Sequence, residues 1–138
     1  GNYIDKDGNV LGRHRGVIHY TIGQRKGLGI ALCEPMYVCA IDPEANTVTL
    51  GRNEDLFSRS LIAKDVNLIS VPSIGTPMKV KAKIRYRQQE QPATVTQIDE
   101  DTIRIDFDEP QRAITKGQSA VLYDGDIVVG GGTITEVL

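Results

Sequence analysis

Short segments of alternating polarity, separated by turn residues about every 8 to 12 positions, run through most of this chain of 138 residues. The clearest is residues 79–86, KVKAKIRY, in which every second side chain is a cation. Such alternation is typical of a strand with one face on a core and the other in water. No segment keeps a helical period beyond two turns, and only residues 24–28 and 54–57 are candidates for a brief helix. We therefore predict an all-β fold.

Three hairpins are predicted from paired segments that flank turn residues. They join residues 36–42 to 47–50, 95–98 to 102–107, and 120–123 to 127–129. The first hairpin is expected to place Tyr37, Cys39 and Ile41 on one face of its strand. The third turns at Asp124-Gly125, a dipeptide that favours the positive φ angles of a type I′ turn.

The chain is predicted to form two small antiparallel β units, residues 1–60 and 61–138. The second unit would begin with a connecting strand, which is followed by the Pro- and Gly-containing stretch at residues 71–77. Closed barrels are the usual way for many short antiparallel strands to hide their edges. We therefore expect the second unit to be a β-barrel.

Composition is that of an ordinary globular protein, with 40% hydrophobic and 25% charged residues. No apolar run suits a membrane helix or a signal peptide, so we expect a cytoplasmic protein. The net charge is −2, but residues 1–87 carry +5 and residues 88–138 carry −7. This asymmetry indicates one basic and one acidic face, and the alternative is an uneven but solvated surface.

The side chains that could bind zinc or act as nucleophiles do not form a recognisable pattern. His14, His19, Cys33 and Cys39 lack the closely spaced pairs of a structural zinc site. The sequence places neither a catalytic base nor a cluster of cations beside either cysteine. The carboxylates of DEDTIRIDFDEP are interpreted as a solvated hairpin face, so no metal site and no catalytic residue are predicted.

The segment YTIGQRKGLGI at residues 20–30 places Gln24, Arg25 and Lys26 within a frame of glycines. Glycine-rich backbone can bring N–H groups close to an anion that neighbouring cations neutralise. The spacing matches neither nucleotide-loop pattern, and the glycines would equally serve a tight turn. Both interpretations stay open from the local sequence.

Two further segments are candidates for nucleic-acid contacts. The cations of residues 79–87 repeat about every 6.6 Å along a strand and could follow a phosphate backbone, with Tyr86 offering a stacking surface. The alternative is an edge strand that lysines protect from aggregation. Gln118 follows Gly117 before a strand and could bond a ribose or base edge, although a loop glutamine is commonly plain polar surface.

Taken in order, four motifs resemble the bacterial tRNA 2-thiouridylase family, whose members are ATP-dependent sulfurtransferases acting on the 2-position of the wobble uridine. They are YTIGQRKGLGI, KIRYRQ, DEPQRAITKGQSAVLYDGD and GGGTI. The segment DKDGNVLGRHRG is also similar to the family, so the resemblance covers almost the whole chain.

The resemblance implies tRNA-binding roles for Arg85, Tyr86 and Gln118, which fall on RNA-contacting positions of the family. It implies contacts with RNA or a domain junction for five further residues: Gln24, Arg25, Lys26, Lys83 and Arg87. In the family the central and C-terminal β domains help to hold the tRNA.

Other features of the family are expected outside these residues. No SGGxDS loop occurs here, and Cys33 and Cys39 do not match the catalytic cysteines. We therefore expect ATP, Mg²⁺ and sulfur transfer to belong to a missing N-terminal catalytic domain, and the chain to be inactive alone. The expected partners are tRNA, that domain and a sulfur-donor protein. The alternative is a module that docks on the catalytic domain without direct RNA contact.

Overall fold

Strands make up most of the chain in a computed structural model that describes residues 1–30, 35–85 and 88–138. The chain divides into two compact units, Gly1–Phe57 and Ser58–Leu138. The described helices are two 3-10 turns, Val17–His19 and Asn53–Leu56, and neither could span a membrane. The second overlaps the predicted brief helix at 54–57, whereas residues 24–28 are not helical. The predicted all-β class is confirmed.

The first unit is a sheet of four strands in the order β2-β1-β4-β3. The strands are β1 (Asn2–Ile4), β2 (Val10–Arg13), β3 (Tyr37–Asp42) and β4 (Thr47–Gly51). The predicted hairpin of β3 with β4 is present, but β1 lies parallel to β4, so this sheet is mixed rather than purely antiparallel. A bulge between Val38 and Ala40 breaks the expected alternation, and Val38 becomes the fully buried residue of β3.

The second unit is a closed six-stranded barrel in the order β10-β5-β8-β7-β6-β9. Its strands are β5 (Phe57–Leu68), β6 (Met78–Lys83), β7 (Gln91–Asp99), β8 (Thr102–Arg112), β9 (Ser119–Asp124) and β10 (Ile127–Val137). Both predicted hairpins of this unit are present, as β7–β8 and β9–β10. The predicted strand at 79–86 is β6, which ends at Lys83.

Three successive glycines allow β10 to close the barrel between β5 and β9. A Cβ atom on Gly130 would lie 2.4 Å from the carbonyl oxygen of Asn67, and one on Gly131 would lie 2.5 Å from that of Ala120. A Cβ atom on Gly132 would lie 2.8 Å from the carbonyl oxygen of Lys64 on β5. The backbone of β10 therefore approaches both neighbouring strands more closely than any side chain permits.

Strand direction separates charge between the two ends of the barrel. Because β6 is antiparallel to both β7 and β9, the turns after β7 and β9 lie at the same end. This acidic end carries Asp99, Glu100, Asp101, Asp124 and Asp126. The opposite end, where β6 and β8 finish, is the basic end: it carries Lys83, Arg85, Arg112 and Lys116, together with Glu90 and Glu109.

Candidate nucleic-acid interface

Arg85 follows the last residues of β6 and braces the end of β8. Its Nη2 atom donates to the carbonyl oxygen of Arg112 and, at 2.5 Å, to that of Ala113. Ala113 has a φ of 57°, so these bonds hold a sharp, left-handed corner. Partial burial, and after it the nearby charge of Arg112, lower the pKa of the Arg85 guanidinium. Two cationic groups thus lie close together, an arrangement that an anion would stabilise.

A cleft of about 160 Å³ opens beside Arg85 on the outer face of the barrel. We call it the Arg85 cleft; it is lined by Lys83, Arg85, Ser119, Val121 and Tyr123. The register explains this grouping, because Lys83 pairs with Val121 across β6 and β9. Ala82, Ala120 and Leu122 alternate with the lining residues and are fully buried in the core.

Gln118 immediately precedes the first residue of β9 at the basic end. Its backbone is fixed, since its carbonyl oxygen accepts from the Ile134 amide at 2.8 Å and Gly117 donates to the Ile134 carbonyl at 2.8 Å. Its side chain is exposed and forms no hydrogen bond to the described residues. The structure therefore places Gln118 next to Ser119 of the Arg85 cleft with its amide open to a ligand.

A chain of side-chain amides, which sequence reasoning missed, ties the segment after β6 to β8. The Ile84 amide donates to Oε1 of Gln88 at 3.1 Å, and Nε2 of Gln88 donates to Oε1 of Gln111 at 3.1 Å. Gln111, which is buried, donates in turn to the carbonyl oxygen of Glu109 at 3.0 Å. The sequence could have indicated this chain of side-chain amides through Gln111, because a polar residue on the inward face of a strand needs a hydrogen-bond partner. Tyr86, predicted to contact RNA, and Arg87, predicted to contact RNA or a domain junction, lie outside the described residues.

The GQRKG loop of the first unit is a braced corner. Gln24 accepts from the Thr21 amide at 3.1 Å and donates through Nε2 to the Lys26 carbonyl oxygen at 2.8 Å. Gly23 and Gly27 adopt φ angles of 89° and 76°, which favour glycine. The amide of Gln24 is therefore committed within the loop, whereas Arg25 and Lys26 are exposed.

Two of the histidine and cysteine candidates, His14 and Cys39, have contacts that are typical of structural residues. His14 accepts from the Gly16 amide through Nδ1 at 2.9 Å and contacts the Asn46 carbonyl oxygen through Nε2 at 2.8 Å. Burial, and secondarily the charge of Asp55, raise the pKa of the Cys39 thiol, which disfavours the reactive thiolate. Cys33 lies outside the described residues. Within residues 1–30, 35–85 and 88–138, no cluster of three His, Cys, Asp or Glu side chains could hold a metal ion.

Comparison with known families accounts for both units. Residues 1–52 match the tRNA methyl transferase PRC-barrel domain, and residues 58–134 match the aminomethyltransferase beta-barrel domain. The whole chain is 59% identical to the tRNA-specific 2-thiouridylase MnmA of Clostridioides difficile (strain 630). The chain belongs to the tRNA 2-thiouridylase family.

Other relatives in this family give the same picture. MnmA of Acetivibrio thermocellus is 57% identical over 97% of the chain, and MnmA of Clostridium perfringens (strain 13 / Type A) is 51% identical over all of it. The chain spans only 37% and 38% of the length of these two relatives, and 38% of the Clostridioides difficile protein. The family resemblance of the sequence motifs is thus confirmed.

Proposed function

We propose that this chain is the tRNA-binding portion of an ATP-dependent tRNA-uridine 2-sulfurtransferase that thiolates the wobble uridine. One observation carries the RNA-binding part of the proposal. Lys83, Arg85 and Arg112 converge with Gln118 on the basic end of the barrel, although the barrel unit as a whole holds 10 Lys and Arg against 11 Asp and Glu. Concentrating cations against the overall charge is what a phosphate-binding surface requires.

Each residue has a distinct role in this proposal. Arg85 is held in place by its Nη2 bonds, which leave Nε and Nη1 to bind a phosphate oxygen. Lys83 supplies a second charge in the same cleft. Gln118 donates to, or accepts from, a ribose hydroxyl or base edge, and Tyr86 supports or stacks on the RNA. Arg25, Lys26 and Arg87 add charge toward RNA or a domain junction, and Gln24 shapes its loop.

The chemistry itself is proposed to occur elsewhere in the enzyme. ATP and Mg²⁺ would bind a catalytic domain of the full-length enzyme, which would also receive sulfur from a donor protein in the cytoplasm. The described residues of this chain offer no metal-binding cluster, and Cys39 is a poor thiolate. The chain alone is therefore expected to bind RNA without turning it over.

A titration of the chain with tRNA at low salt tests the proposal, and two barrel lysines offer a matched pair of variants. Lys83 lines the Arg85 cleft, whereas Lys64 of β5 is exposed and does not line that cleft. We expect Lys83→Ala and Arg85→Ala to weaken binding, with the salt slope of log affinity falling by about 0.7 to 0.9 per lost contact. Lys64→Ala should change binding little. Equal affinities for all four proteins would contradict the proposal.

A docking module without RNA contact is the second candidate, and a specific observation favours it. The Nη2 atom of Arg85 and the amide of Gln24 are already bonded to backbone carbonyls of the chain. Mixing the chain with the separately expressed catalytic domain of a relative would discriminate between the two. Tight association with that domain and no affinity for tRNA would favour the docking module.

A further inference from the structure

Tyr123 occupies the boundary between two clefts on the outer face of the barrel. It lines the Arg85 cleft and also a larger cleft of about 490 Å³, which we call the Lys81 cleft. In β9, Ala120 and Leu122 point into the core, so the half-buried ring of Tyr123 faces outward directly opposite Lys81 of β6. The ring of Tyr123 gives this charged outer surface an apolar face on which a flat ligand can stack.

The charges of the two clefts differ in a way that fits the two ends of a nucleotide. Among the described residues, the Arg85 cleft is lined by Lys83 and Arg85 and by no carboxylate. The Lys81 cleft contains Lys79 and Lys81 beside the acidic residues Glu90, Asp108, Asp124 and Asp126. A phosphate is therefore attracted to the first cleft and repelled from the second. Carboxylates accept hydrogen bonds from the N–H groups of nucleobases, so the second cleft suits a base edge.

We propose that the two clefts bind one splayed-out nucleotide, with its phosphate in the Arg85 cleft and its base stacked on Tyr123 over the Lys81 cleft. The volume of the Lys81 cleft lies within the range of about 300–1,000 Å³ that is usual for small-ligand sites. Unpaired bases of RNA commonly stack on aromatic side chains in this way. The inference rests on the proposed RNA binding and adds a residue, Tyr123, and a class of ligand, an unstacked base.

The test uses two single-stranded probes with the same number of phosphates, an RNA octamer and an octamer of abasic ribose, in fluorescence anisotropy at low salt. Tyr123→Ala and Tyr123→Leu should bind the RNA octamer about 5- to 150-fold more weakly, as expected for one lost stacked base. Both variants should bind the abasic octamer like the parent chain, with the same salt slope. Tyr123→Phe should keep the affinity, because it keeps the ring.

The control is Val128→Ala, since Val128 pairs with Tyr123 from the other side, on β10, and lines neither cleft. An unchanged affinity in Tyr123→Ala, or an equal loss for the abasic octamer, would overturn the stacking proposal while leaving phosphate binding intact. If the parent chain bound neither probe nor tRNA, the proposed function itself would fail. Binding of an octalysine peptide that Asp108→Asn abolishes, without any effect of Tyr123→Ala on RNA, would assign the Lys81 cleft to a cationic protein segment instead.

Discussion

The side-chain amides of Gln88 and Gln111 should stabilise the basic end of the barrel, and the number of their hydrogen bonds gives the expected loss of unfolding free energy when either is removed. Gln88→Ala removes the bonds to Ile84 and Gln111, and Gln111→Ala removes the bonds to Gln88 and Glu109. At about 0.5–1.5 kcal/mol per hydrogen bond, each variant should lose about 1–3 kcal/mol of unfolding free energy. For a unit the size of the barrel, each kcal/mol lowers the melting temperature by about 4–8 °C.

The double variant distinguishes a connected chain from two independent side chains. One bond, from Gln88 to Gln111, is counted in both single variants. The stability losses of the two single variants, added together, should therefore exceed the loss of the double variant by the value of one bond, about 0.5–1.5 kcal/mol. Urea unfolding followed by far-ultraviolet circular dichroism measures all four proteins. Losses that add to within about 0.3 kcal/mol would refute the reasoning, because independent sites behave in that way.

Two other predictions concern single residues. Gly131→Ala should destabilise the barrel strongly, because its Cβ atom would lie 2.5 Å from the Ala120 carbonyl oxygen, whereas Gly75→Ala, which meets no atom within 4 Å, should be nearly neutral in the same thermal melt. The raised pKa of Cys39 predicts slow alkylation of this thiol in the folded chain at pH 8 and fast alkylation in urea, as read by peptide mass spectrometry. Because folding favours the protonated thiol, the stability linked to Cys39 should be complete below its ordinary pKa of 9.0 and should fall as the pH rises above it. Equal alkylation rates in the two states would contradict this assignment.

Much of the fold could be predicted because it is encoded locally. The β9–β10 hairpin was predicted from the Asp124-Gly125 pair, and the alternation along β6 specified a half-buried strand through its period. The expected type I′ turn is not formed, because Asp124 ends β9 and the turn is Gly125-Asp126, with a positive φ of 60° at Gly125. The parallel pairing of β1 with β4 joins segments more than 40 residues apart, and no local pattern announces it. The bulge between Val38 and Ala40 likewise depends on the partner strand rather than on the sequence of β3 alone.

The candidate site could be predicted only in part, for a related reason. Sequence motifs indicated Arg85 and Gln118, and the structure places both at the basic end. Arg85 also donates to the carbonyl oxygen of Ala113, at the end of β8. The residues next to Arg85 in sequence do not specify this contact, because it depends on where β8 ends. The ligand contact that we propose for Tyr123 has no signal in its own segment, because the proposal depends on the charges that β6 and β8 bring around it.

The central claim is that RNA binds the basic end of the barrel, and nuclear magnetic resonance can test it on the whole chain. Backbone amide shifts of the ¹⁵N-labelled protein would be followed while unlabelled tRNA is added. We predict the largest changes at Lys83, Arg85 and Gln118, with little change at Asp99 to Asp101 on the acidic end. Changes concentrated at the acidic end, or none at saturating tRNA, would contradict the claim.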